Sequence, residues 1–373
     1  MPDKKLGFGL MRLPLKDENN QKSINQEEVN KMIDYCMSKG FNHFDTGYPY
    51  HEGLSEVAFK KGVVERYPRE DYIICDKMPI WDVESYDDFQ KFFSEQLQRC
   101  GVDYFDYYLL HNIGETFYNN TIKHNGFDFM KKIKKEGKAK KIGLSIHDDA
   151  EMLDKILSKH PEIEFVLLQI NYIDWENESI ESRKSYEVAR KHNQEILVME
   201  PVKGGALAKV PEEVEKLYKE YNPDLSIASW AIRYAASLEG VTTVYSGMSN
   251  FDQMKDNISF MEDFKPINNE EMELITKSVD IINESIAIPC TQCNYCLENC
   301  DENINISKYF TLFNDQKQFG FQVNLANYYM NLCLTFGKAS DCTYCGECLD
   351  HCPQHIDIPD KLEEVAEVFE IEF

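Results

Sequence analysis

The chain has 373 residues, of which 43% are hydrophobic, with 65 acidic against 40 basic side chains and a formal net charge of −25. That length leaves room for one large domain and one small one, and no apolar run reaches the ~18 residues that mark a membrane-spanning helix. The negative charge argues against nucleic acid and anionic membranes as partners. The opening Met1–Leu10 lacks a signal-peptide core, so a cytoplasmic protein is expected.

Strand-like and helix-like segments then alternate roughly every 30 residues. Apolar strand candidates are Leu6–Met11, Phe41–Asp45, Tyr72–Asp76, Phe105–Leu110, Lys141–Ser145, Phe165–Ile170, Ile196–Met199 and Thr242–Ser246. The helices between them have readable ends. Gln26–Lys39 follows the N-cap candidate Asn25, carries Glu27 and Glu28 in its first turn and stops at Gly40, and Tyr86–Cys100 stops at Gly101. Eight βα units predict an α/β fold, a (β/α)8 TIM barrel over residues 1–265, in preference to a doubly wound sheet.

In such a barrel, catalytic groups sit at the C-terminal ends of the strands. Asp45 occupies that position after the second strand, Lys77 just after the third and His111 just after the fourth, with Tyr48, Tyr50 and His51 in the loop beyond Asp45. Taken singly, each has a plain structural explanation: a helix cap, a solvated lysine, a core histidine, a packed tyrosine. Converging from consecutive units, they point to one site.

Residues 266–373 are expected to form a second, small and mainly α-helical domain. Cys290, Cys293, Cys296 and Cys300 repeat the spacing C-x2-C-x2-C-x3-C of Cys342, Cys345, Cys348 and Cys352. Such a repeated quartet is the ligand run of two [4Fe–4S] clusters, in which the fourth cysteine serves the other run's cluster. The expected sets are Cys290, Cys293, Cys296 with Cys352, and Cys342, Cys345, Cys348 with Cys300. Zinc sites more often use cysteine pairs or cysteine with histidine, and disulfide frameworks belong to short secreted chains. The second run ends in Cys352-Pro353, whereas Asp301 follows Cys300. The 41 residues of Asp301–Asp341 include a helix-like Leu325–Leu334 and exceed a minimal ferredoxin, so residues 266–373 resemble the small, mainly α-helical ferredoxin-like domain. Residues 266–373 hold 19 acidic and 5 basic side chains and no arginine, either a solubilising surface or a docking face for a basic redox partner. Cys36, Cys75, Cys100 and Cys333 are expected in the core.

The stretches Phe44-Asp45-Thr46-Gly47-Tyr48-Pro49-Tyr50, Cys75-Asp76-Lys77-Met78-Pro79, Tyr108-Leu109-Leu110-His111-Asn112, Ile142-Gly143-Leu144-Ser145 and Leu168-Gln169-Ile170-Asn171-Tyr172 resemble the aldo/keto reductase family. The resemblance covers roughly Lys5–Phe260, and with the cysteine tail the chain is similar to the branch that carries a C-terminal 4Fe-4S dicluster domain. It implies hydride exchange between a nicotinamide cofactor and a small carbonyl or alcohol substrate. It also implies that Tyr50, five residues past Asp45, is the general acid/base, while the rival Tyr48 has the wrong offset. Lys77 would lower the phenol from its usual ~10, Asp45 would hold Lys77, and His111 would orient the substrate oxygen. Ser145 and Gln169 would take the nicotinamide amide. Met199 stands at the ring-stacking position, and Ser246, Gly247, Met248, Gln253 and Asn257 belong to the phosphate stretch at a helix N-terminus.

Three positions depart from the family pattern. Ile146 follows Ser145 where many members have Asn, Met199 replaces a tyrosine, and Gln253 stands where an arginine would grip a 2′-phosphate. Of NAD(H) and NADP(H), NADH is therefore the more economical expectation. A hydride carries two electrons and each cluster takes one, so coupling needs a splitter such as a flavin, for which the sequence has no motif. Two functions follow. One is an oxidoreductase whose clusters wire it to ferredoxin-like partners. The other is an electron-transfer or scaffold protein whose barrel binds a different cofactor or no longer catalyses.

Overall fold

A computed structural model describes residues 4–284, 287–290, 292, 294, 296–297, 300–320, 322–352 and 354–370. Eight parallel strands close into a barrel in chain order: β1 (Leu6–Gly9), β2 (His43–Asp45), β3 (Ile73–Met78), β4 (Phe105–Leu110), β5 (Ala139–Ser145), β6 (Phe165–Gln169), β7 (Glu195–Met199) and β8 (Val241–Gly247). β8 pairs back onto β1 from Leu6↔Val244 to Gly9↔Gly247. The expected TIM barrel and its eight strands are present. Most ends shift by a residue or two, and two shifts bear on the site: β1 gives way to a single turn of 3-10 helix at Leu10–Arg12, and β3 runs on to Met78, which puts Lys77 inside the strand opposite Leu109.

The register positions the site. Asp45 pairs with Cys75, and the twofold alternation of a strand turns Lys77 to the same inner face as Cys75. Cys75, Tyr107, Leu109, Phe165, Leu167, Leu197 and Tyr245 pack together in the lumen, so the barrel is solid below its mouth. The helices bury their apolar faces around it, with caps close to those expected. Asn25 Oδ1 accepts from Glu28 N at the start of Gln26–Ser38, and Gly101 ends Tyr86–Cys100 at a left-handed φ of 71° that a side chain would strain.

Helix Asn269–Asn283 lies beyond residue 265 and packs on the barrel. Arg233, in helix Ile227–Ser237, donates to both carboxylate oxygens of Glu271 at 2.7 and 2.9 Å, and Ile275 and Ile282 join the barrel core. Helices Ile306–Phe319, Val323–Cys333 and Ile358–Phe369 then enclose a second core, including Tyr309, Phe310, Phe313, Leu325, Tyr329, Leu362 and Val365. Cys36, Cys75 and Cys100 are buried as expected, and Cys333 is half-buried, 3.5 Å from the Tyr309 hydroxyl.

The helical domain sits against the barrel mouth through buried polar contacts. Lys203, after β7, pairs with Asp174 of the barrel and, at 2.9 Å, with Asp315 of helix Ile306–Phe319; all three are buried. Asn324 donates to Gln169 Oε1 at 3.0 Å, and Asn331 donates to Asn112 Oδ1 at 3.1 Å. No helix among the described residues is long and apolar enough to cross a membrane.

Candidate active site and metal centres

A cavity of about 1160 Å³ lies at the barrel mouth, walled on one side by helix Val323–Cys333. Asp45, Tyr50, Lys77 and His111 all line it. Lys77 Nζ donates to Asp45 Oδ1 at 2.7 Å and to the Thr46 carbonyl, and lies 4.8 Å from the centre of the Tyr50 ring. His111 meets Tyr50 edge-on at 6.0 Å and Trp81 at 5.1 Å. Tyr48 is directed elsewhere: its hydroxyl donates to Glu95 at 3.2 Å and its ring packs on Phe92.

Burial acts on these groups in opposite senses. It works to lower Lys77, but Asp45 and then Tyr50 outweigh it and hold the ammonium charged well above its ordinary range. For Tyr50 burial wins: it raises the phenol, Lys77 pulls it down only in part, and the result is about 12. The expectation that Lys77 brings the phenol below its ordinary range is corrected accordingly. Burial first, then Lys77 and His147, push His111 far below its usual value, so its ring is neutral.

Met199, Ser246, Gly247, Gln253 and Asn257 line the far side of the same cavity. Asn250 caps helix Phe251–Met261, Gln253 Oε1 accepts from Ser249 N at 2.7 Å, and Asn257 donates to Ser246 Oγ at 2.9 Å. A Cβ at Gly247 would stand 3.2 Å from the Arg12 side chain, so glycine lets that arginine close over the strand end. A helix N-terminus beside one arginine fits a pyrophosphate. The rim also carries Asp252 and Asp256, and Glu200 lies 3.9 Å from Arg12, a poor setting for an extra 2′-phosphate. Three expected residues do not line the cavity. Met248 is in the core, Ser145 Oγ accepts from Asn112 N at 2.9 Å, and Gln169 is bonded on both sides, donating to Asp174 at 2.7 Å and accepting from Asn324.

His147 lines the cavity although the sequence reading passed it over. It is 6% exposed, and burial lowers it to about 4. It stands two residues past Ser145 at the end of β5, so carrying the strand-end reading one strand further would have found it. Asn324, Asn327 and Asn331 also reach the cavity, from a helix about 200 residues away in sequence, and no local pattern announces them.

The described cysteines of the two runs gather at two places. Cys290, Cys296 and Cys352 line one small cavity with Ile306, Ser307 and Phe310. Burial pushes Cys348 up to about 11, and the neighbouring Cys342, Cys345 and Cys300 add to the rise. Each fourth cysteine therefore lies with the other run, in the arrangement that crossed ligation needs; Cys293 lies outside the described residues. The two runs also share a backbone path. Gln292, Asn294 and Asn303 have left-handed φ in the first, and Tyr344, Gly346 and His355 have it at the equivalent offsets in the second. In both runs the backbone N–H two residues on donates to the first sulfur, Gln292 to Cys290 at 3.4 Å and Tyr344 to Cys342. Thiols in two groups, each met by backbone donors, suit [4Fe–4S] clusters.

Comparison with known proteins follows the same division. The model of the aldo/keto reductase family matches residues 5–280, and that of the 4Fe-4S dicluster domain matches residues 289–356. The uncharacterized oxidoreductase YqkF of Bacillus subtilis (strain 168) is 24% identical over 283 residues, 68% of this chain and 85% of that protein. A glyoxal reductase of the same organism is 27% identical over 154 residues, 40% of this chain and 50% of that protein. Among solved structures, the holo form of aldo-keto reductase AKR11C1 from Bacillus halodurans superposes with a TM-score of 0.59 at 24% identity, over 74% of this chain and 91% of that one. An aldo-keto reductase from Klebsiella pneumoniae in complex with NADPH gives 0.58 at 17% identity, over 73% and 90%. These structural likenesses are likenesses of fold.

Proposed function

The chain belongs to the aldo/keto reductase family and is an oxidoreductase carrying a 4Fe-4S dicluster domain; on that premise we propose that its barrel interconverts a small carbonyl compound and its alcohol, with Tyr50 moving the proton. The observation that carries this reading is the buried Asp45–Lys77 pair set 4.8 Å from the Tyr50 ring. A phenol held near 12 is protonated at neutral pH, which suits donation to a carbonyl oxygen as the carbonyl is reduced. The fixed charge of Lys77 stabilises the phenolate left behind, and the neutral His111 hydrogen-bonds the same oxygen. A bound dihydronicotinamide supplies the hydride. Met199, Ser246, Gly247, Gln253 and Asn257 would hold it, Ser145 through the hydroxyl proton that its bond from Asn112 leaves free and Gln169 by exchanging its present bonds, and the acidic rim favours NADH over NADPH.

In the same proposal, residues 1–265 perform the chemistry and residues 266–373 carry electrons. Cys290, Cys293, Cys296 and Cys352 hold one cluster, and Cys342, Cys345, Cys348 and Cys300 hold the other. The acidic surface receives a basic redox partner. The doubly bonded Gln169 carboxamide favours a second reading, in which the barrel holds a flavin that divides an electron pair into the single electrons clusters accept. The visible spectrum of anaerobically purified protein, followed by NADH titration, separates the two. Nucleotide binding without a flavin band supports the first, and a co-purifying flavin with no affinity for NADH supports the second.

A further inference from the structure

We propose that Glu56, Asp76 and Gln96, buried behind β3, are positioning residues for the reaction: one shared proton joins the two carboxyl groups, and Asp76 and Gln96 fix the main chain of Lys77. The proposal deepens the carbonyl-reduction reading above and rests on its assignment of Lys77 to Tyr50. None of the three residues lines the cavity, so none meets substrate or cofactor. β2 ends at Asp45, opposite Cys75, and β3 runs on beyond it to Met78. On that stretch side chains take the place of a strand. The Lys77 amide donates to Asp76 Oδ1 at 2.8 Å, and Gln96 Nε2, from helix Tyr86–Cys100, donates to the Lys77 carbonyl at 3.0 Å. The Tyr108 hydroxyl donates to Gln96 Oε1 at 2.5 Å and so sets which way the amide points. Strand alternation puts Asp76 on the outer face. The main chain of residue 77 is thus held from outside the barrel, and its ammonium from inside by Asp45.

The shared proton follows from the packing. Carboxylate oxygens of Glu56, in helix Ser55–Phe59, and of Asp76 lie within 4.8 Å of each other and of Cys100 Sγ, and all three residues are fully buried. Two carboxyl groups this close in a dry interior do not both ionise. Among the described residues the cations facing the pair are Lys77, already paired with Asp45, and Arg99, which donates to Glu56 Oε2 at 3.2 Å but also pairs with Glu95. The other titratable neighbours are Cys100, whose thiol donates to Asp76 Oδ2 at 3.5 Å, and Tyr108, which reaches Glu56 through Gln96. Two cations therefore face four carboxyl groups, and one proton relieves the repulsion. Burial raises both members of the pair, and Asp76 raises Glu56 further, whereas the Lys77 amide and then its ammonium hold Asp76 back. The proton rests on Glu56, which donates it to the Asp76 carboxylate, and the charge kept on Asp76 strengthens its grip on the Lys77 amide.

Two spectra of the full chain test this without turnover. Infrared spectra at neutral pH should show a protonated-carboxyl stretch that Glu56→Gln removes. In the fluorotyrosine-labelled chain, the fluorine resonance missing from Tyr50→Phe reports ionisation of Tyr50. Glu56→Gln exchanges one neutral donor for another and should leave the midpoint of that resonance in place. Gln96→Met, which cuts the bond to the Lys77 carbonyl with no change of charge, should move the midpoint up by about one pH unit, a tenfold weaker acid. Tyr108→Phe, which removes the hydroxyl that orients Gln96, should give a smaller shift of the same sign and serves if Gln96→Met does not fold. A carboxyl band absent from wild type, or untouched by Glu56→Gln, overturns the shared proton. Loss of stability in Gln96→Met and Tyr108→Phe with the Tyr50 midpoint unmoved shows a merely structural cluster and overturns the positioning role. A chain that gives the predicted band and shifts but reduces no carbonyl compound keeps the positioning of Lys77 and sinks the reductase reading instead.

Discussion

Lys77 is buried, Tyr50 stands half-buried beside it, and desolvation acts on them with opposite outcomes, the ammonium staying charged because Asp45 is 2.7 Å away and the phenol staying protonated because Lys77 offsets desolvation only in part. Alcohol oxidation needs the phenolate, so its rate should climb with pH toward about 12. Lys77→Met, which removes the group that lowers the phenol, should slow the reaction and move the climb to higher pH; an unshifted pH–rate profile would show that Lys77 does not tune Tyr50. His147 has the opposite stability linkage. Its folded value of about 4 lies below the ~6.5 of an unfolded chain, so the unfolded state binds more protons between them and stability falls as pH drops through that window. His147→Gln should flatten that part of the denaturation midpoint against pH. Asp45, Lys77 and His111 were legible because each stands at a strand end one βα unit from the next. His147 was not, because the end of β5 was read through Ser145 and the nicotinamide.

Secondary structure was legible where periodicity and caps agree, as in Gln26–Ser38 and Tyr86–Cys100. It failed where tertiary pairing overrides local signals, as in β3, which continues through Lys77 to Met78 because β4 pairs it that far. The shared path of the two cysteine runs was half hidden for a different reason, since only Asn294, Asn303 and Gly346 of its left-handed positions carry a turn residue, and Gln292, Tyr344 and His355 do not. The crossed grouping predicts that Cys300→Ser damages the cluster centred on Cys342, Cys345 and Cys348. Iron and sulfide analysis with electron paramagnetic resonance of the reduced protein checks this, and loss confined to the Cys290 cluster contradicts it. Arg233→Ala tests the strap helix Asn269–Asn283. It leaves Glu271 buried and unpaired, so chemical denaturation should show a loss of about 3–5 kcal/mol.

Across the whole molecule, one of the contacts between the two domains leads from the cysteines to the barrel mouth. Helix Ile306–Phe319 lines the cavity of Cys290, Cys296 and Cys352 near its start and reaches Lys203 through Asp315 near its end. Lys203→Met would leave Asp174 and Asp315 buried without their shared cation. It should separate unfolding of the helical domain from that of the barrel, seen as two calorimetric transitions where the wild type gives one. This docking was not legible in the sequence, because pairs such as Lys203–Asp315 and Gln169–Asn324 join residues more than a hundred positions apart and leave no periodic trace. The central claim remains that Tyr50 is the proton donor of a carbonyl-reducing barrel. Its most direct test is steady-state reduction of small aldehydes and ketones by the anaerobically purified full chain, wild type against Tyr50→Phe, with NADH and with a reduced low-potential dye as donors. Turnover should fall ~100- to 10,000-fold while fold and nucleotide binding persist; equal turnover with either donor contradicts the claim and leaves the barrel as a binding domain or the seat of another cofactor.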